Sequence, residues 1–111
     1  MTFPAGRRYN IYMDTAINEA LSGLNAFATR QAVTANNIAN SISANFKPSE
    51  TVMESVAGGG VTTSVKLSGE DSVDISKEAV DLLINKAGFD ANLKTLEAGI
   101  QMEKETIDVV A

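Results

Sequence analysis

Two stretches of heptad-spaced apolar residues, separated by a segment that breaks helices, limit what this chain can fold into. From Ile17 the positions recur in alternating steps of four and three: Ile17, Leu21, Leu24, Ala28, Gln31, Ala35, Ile38 and Ile42. From Ile75 the same steps give Ala79, Leu82, Lys86, Phe89, Leu93, Leu96, Ile100, Glu103, Ile107 and Val110. Such spacing keeps one face of a helix against a partner over many turns. Ala20 and Phe27 widen the first stripe. These patterns predict a mainly α fold. Long N- and C-terminal helices pair as an antiparallel coiled-coil hairpin, with a short irregular or β-hairpin segment between them.

The expected organisation has four parts. Residues 1–13 contain Pro4 and Gly6, show no period, and read as a flexible leader or a region before an alternative start at Met13. Residues 14–42 form the first helix, with Asp14 or Thr15 as N-cap. Residues 43–73 form a linker. Pro48 opposes helix continuation, Gly58-Gly59-Gly60 is a flexible break, and "VTTSVKL" alternates as a strand that "ETVMESV" can partner. Residues 74–111 form the second helix, capped by Asp74, with Glu70 and Asp71 complementing its dipole. Gly23, Gly88 and Gly99 weaken the helices, and Gly23 marks close approach of a neighbour.

Composition excludes most chemistry. The chain has 111 residues, enough for one small domain, and 44% are hydrophobic but only 5% aromatic. That favours a narrow helical seam over a thick core. The net charge of −5 argues against nucleic acid, which needs clustered Lys and Arg. Cys and His are absent, so thiol chemistry and the commonest general base and metal ligand are missing. Ser and Thr therefore have no His to activate them. Glu70, Asp71 and Asp74 lack calcium-loop spacing, and no Gly-Lys-Ser/Thr follows the triple glycine. No catalytic, cofactor-binding or metal-binding residue is expected, and the chain is not read as an enzyme. No apolar run approaches the ~18 residues of a membrane span, and the start lacks the apolar core of a secretory signal.

The stretch "ANNIANSISANFK" ends the first helix on three amides, Asn36, Asn37 and Asn40. Asparagine is a mediocre helix former. One reading is helix-end chemistry, with Asn40 as a left-handed C-cap and the other two exposed. The other is an interface in which buried amides fix register.

Extended backward, "ALSGLNAFATRQAVTANNIANSISANFK", residues 20–47, resembles the N-terminal signature of the bacterial flagellar rod and hook family. Ala20 to Leu24, Asn36 to Asn40, and Phe46-Lys47 carry the likeness. "SVDISKEAVDLLINKAGFDAN", residues 72–92, resembles the family's C-terminal segment through Val73, Asp74, Glu78, Phe89, Ala91 and Asn92. "GGGVTTSV" is similar to the glycine-valine strand of rod proteins. Asn45 stands where the family has glycine, and Gly88 where it tends to have alanine. No folded domain is inserted between the helices, so the likeness is to a short proximal-rod-type subunit.

The resemblance implies a structural subunit of the flagellar basal-body rod, self-assembling through terminal coiled-coil helices and ordering on assembly. Its implied partners are copies of itself, other axial proteins and the flagellar type III export apparatus, with no nucleic acid and no membrane insertion. Its implied location is the periplasmic rod, after export from the cytoplasm. The expected assembly residues are Leu21, Leu24, Phe27, Asn36, Asn37, Ile38, Asn40, Phe46, Leu82, Phe89, Asn92, Leu93, Leu96, Ile100 and Ile107. The alternative is a soluble helical-hairpin adaptor or export-chaperone-like binding module.

Overall fold

The computed structural model describes the backbone of residues 5–110 and the side chains of residues 14–105 and 108. The order is α1 (Ala5–Ala39), β1 (Ser49–Ser55), β2 (Val61–Leu67) and α2 (Ile75–Val110). Two long helices and a two-stranded antiparallel hairpin between them give the mainly α fold expected.

Helix α1 begins well before the expected start at Asp14. Between Arg7 and Met13 there is neither Pro nor Gly, so nothing there halts a helix, even without an apolar period. Asp14 and Thr15 therefore lie within α1 and not at its start. Residues 1–4 of the expected leader lie outside the described residues.

The chain leaves α1 through a turn at residues 40–45. The left-handed residue there is Asn45, with φ 63°, not Asn40. Asparagine tolerates that conformation better than most residues, so Asn45 performs the turn that the resemblance assigns to glycine. Pro48 then follows, fully buried. Strands β1 and β2 pair from Ser49 opposite Leu67 to Ser55 opposite Val61. Gly58, Gly59 and Gly60 all have positive φ, and a Cβ on Gly59 would collide with the Glu19 carboxylate. The hairpin tip is thereby held on α1. There the Val61 amide donates to Ser22 Oγ at 3.0 Å. Val65 and Leu67 are exposed. Asp74 caps α2 as expected, accepting from the Lys77 amide at 3.2 Å.

The helices run antiparallel. Ile17 lies near Gly99, Asn92 against Gly23, and Phe27 against Gly88. The inward line of α1 is Ile17, Ala20, Leu24, Phe27, Gln31, Thr34 and Ile38. That of α2 is Glu78, Leu82, Asn85, Phe89, Asn92, Leu96, Gly99 and Glu103. Both keep the heptad step, and half of each line is the expected one. The other half is shifted by one residue. Leu21, Ala28, Ala35 and Ile42 on α1 and its exit, and Ala79, Lys86, Leu93 and Ile100 on α2, are exposed. Leu21, Leu93 and Ile100 are thus corrected out of the intrachain seam. Gly23 and Gly88 let Asn92 and Phe27 pack close to the opposite helix, which turns each helix by about one position. The hairpin turns α1 further, since it covers the side of α1 that carries Ser22, Val33 and Asn37. The Ile107 side chain lies outside the described residues.

Candidate assembly interface

The amide cluster divides by function. Asn37 is 1% exposed. Its Nδ2 donates to the Ser49 carbonyl at 2.8 Å, and its Oδ1 accepts from the Ser49 amide at 3.0 Å. The side chain thus pairs with the first residue of β1 as a neighbouring strand would, satisfying both backbone groups. Asn40 Nδ2 donates to the Asn36 carbonyl at 2.8 Å and to Asn36 Oδ1 at 3.1 Å. Asn40 is half-buried and Asn36 faces outward. Phe46 is half-buried in the turn.

The remaining expected residues divide likewise. Leu24, Phe27, Ile38, Leu82, Phe89, Asn92 and Leu96 lie inside the helix pair, whereas Leu21, Leu93 and Ile100 lie on its surface. The most completely buried side chains are two amides and a proline: Asn37, Asn85 and Pro48. Asn85 was not anticipated. The signal for it was the shifted heptad line Glu78, Asn85, Asn92 and Gly99, which the more apolar neighbouring line obscured.

Helix α2 is apolar on the face opposite its seam. Val80, Leu83 and Ile84 are 54%, 70% and 53% exposed, and Ala87 and Ala91 continue that line at steps of three and four until Lys94 interrupts it. A second feature is a groove of about 420 Å³ between α1 and α2, with Phe27, Ala28, Ala32, Ala35 and Phe89 as walls and Gln31 and Asn85 among its lining.

A polar cleft lies on the other side of α1, lined by Arg30, Glu50, Glu70, Lys77, Glu78 and Asp81 among others. Lys77 donates to Glu70 at 3.4 Å, and that hydrogen bond and the Glu70 charge raise the lysine's pKa. Opposite charges are interleaved here. Among the described residues no three acidic side chains gather as metal ligands do, and no helix is long and apolar enough to cross a membrane.

No curated protein matches the chain. Residues 17–47 match the model of the family described as flagella basal body rod protein. That stretch holds most of α1, the amide cluster and the Asn45 turn. Over that stretch, which is less than a third of the chain, this protein is similar to the flagellar basal-body rod family.

Proposed function

We propose that this chain is a structural subunit of the flagellar basal-body rod that self-assembles, packs against other axial proteins and transmits torque. The observation that carries the reading is the apolar outer face of α2, centred on Val80, Leu83 and Ile84. A helix that is apolar on both faces is built to be buried on both. The intrachain partner covers one face only. Burying a side chain such as Leu83 stabilises by about 1.5–3 kcal/mol relative to exposure, so a few such residues in the first turns of α2 can drive association. Leu93 and Ile100, outside the seam, add further exposed apolar surface on α2.

The compact hairpin, with no folded domain inserted between the helices, supports a short proximal-rod-type subunit. The partners are copies of the chain and other axial proteins, reached after export by the type III apparatus to the periplasmic basal body. The test is sedimentation velocity with circular dichroism across concentration, on the wild-type chain and on Leu83→Asp. The wild type forms large species as concentration rises. Leu83→Asp keeps its helicity and does not. Equal assembly by both chains would overturn the reading.

A further inference from the structure

The groove between α1 and α2 contains polar groups that the subunit itself leaves unpaired. Asn85 is 1% exposed, and neither Nδ2 nor Oδ1 has a hydrogen-bond partner. Gln31 Oε1, lining the same groove, is also buried and unpartnered. Buried amides without partners are costly, and native structures rarely leave them so. The wall above them is a row of small, exposed side chains, Ala28, Ala32 and Ala35, continued by Ala39. Small residues let a second helix backbone approach closely.

We propose that this groove receives α1 of a second copy, antiparallel, in a closed two-fold pair. Antiparallel pairing centred between Val33 and Thr34 sets Ala28 against Ala39, Ala32 against Ala35, and Gln31 against Asn36. Asn36 is exposed, and its Oδ1 already accepts from Asn40. When the Gln31 side chain turns outward, Asn36 Nδ2 supplies the donor that Gln31 Oε1 lacks within the subunit, with Asn85 beside it in the same groove. The outer ridge of α2 from another copy would place Val80, Leu83 and Ile84 there, and leave the amides unsatisfied. Charge also favours α1. From Ala20 to Phe46 the one charged residue is Arg30, which lines the polar cleft instead. Two such faces meet without like-charge repulsion although the chain carries −5 overall, and Lys86, which also lines the groove, is paired with Asp90 at 3.0 Å. The exposed Leu21 and the 94%-exposed Ile42 extend the apolar contact at its two ends. The contact is isologous and closes on itself. It does not use the outer face of α2 and is independent of the rod reading.

The chain has no cysteine, so engineered thiols report the pairing directly. Ala32→Cys and Ala35→Cys are each placed in the Leu83→Asp background, which lacks the proposed α2 contact. The two chains are oxidised mildly, alone and mixed, and resolved by non-reducing electrophoresis. The mixture gives a disulfide-linked dimer in several-fold excess over either chain alone. Adding Asn36→Ala to both lowers the yield about fivefold while circular dichroism is unchanged. Self-linked dimers of Ala32→Cys in excess would mean parallel pairing, and monomers throughout would mean no pairing. Either result overturns the proposal.

Discussion

Phe27 of α1 occupies the space that a side chain on Gly88 of α2 would need. A Cβ added there would lie 2.5 Å from both Cε1 and Cζ of the ring. Gly99, three turns further along α2, has room: an added Cβ would meet Ile17 Cγ1 at 3.4 Å. Alanine in place of a helix glycine contributes about 1 kcal/mol through propensity, while overpacking costs about 1–3 kcal/mol. Gly88→Ala should therefore lower stability by about 1 kcal/mol net, and Gly99→Ala should raise it by about 0.5–1 kcal/mol. Urea midpoints of the two variants should move in opposite directions. Phe27→Leu combined with Gly88→Ala should recover part of the loss.

Neighbouring asparagines should behave very differently. Asn37→Ala removes both hydrogen bonds to Ser49 and strands two backbone groups. The expected loss is about 2–3 kcal/mol, with faster amide exchange at Ser49. Asn36→Ala touches an exposed side chain, and its effect on subunit stability should stay within about 0.5 kcal/mol. Equal losses at the two positions would refute the assignment of Asn37 as the partner of β1.

The carboxyl of Glu103 is raised above its ordinary value, chiefly by a hydrogen bond with Asp14 and secondarily by partial burial and the Asp14 charge. A carboxyl whose folded pKa lies above the unfolded one stabilises the fold when protonated. That contribution is complete below the ordinary glutamate value and disappears as pH rises through the folded one. The contact between the start of the described α1 side chains and the end of α2 should thus tighten on acidification. NMR titration should place Glu103 above the ordinary glutamate value. Asp14→Asn should remove the charge contribution and lower the Glu103 pKa.

These residues also show where the sequence is legible. The helix–hairpin–helix order, the strand partners and the Asp74 cap rest on local chemistry, and all are found where local chemistry puts them, with Pro48 directly before β1. The phase of the seam was half legible. Ile17, Leu24, Ile38, Leu82, Phe89 and Leu96 face inward as the spacing implies, but Leu93 and Ile100 do not. A helix carrying two apolar lines does not declare which one its own chain will cover. Here Gly23 and Gly88 decide, because close approach favours Asn92 and Phe27 over the more apolar line. Asn37 was singled out by type, but its partner Ser49 lies across a turn whose geometry depends on Asn45.

Asn85 offers the sharpest contrast between subunit stability and association. Its amide is 1% exposed and unpartnered within the subunit. Removing an unsatisfied buried polar group in favour of an apolar one of similar size relieves a desolvation cost of about 1–3 kcal/mol. Asn85→Leu should therefore stabilise the isolated subunit by about 1 kcal/mol after some misfit in shape. The same variant leaves Gln31 and an incoming Asn36 without their shared amide, and should weaken the two-fold pair. The check is a urea midpoint measured at a concentration where the chain is monomeric, beside the disulfide yield of the Ala32→Cys and Ala35→Cys mixture. A midpoint that rises while the yield falls identifies an amide kept for a partner. A midpoint that falls would show that Asn85 is already satisfied inside its own subunit, and the groove would lose its claim to specificity.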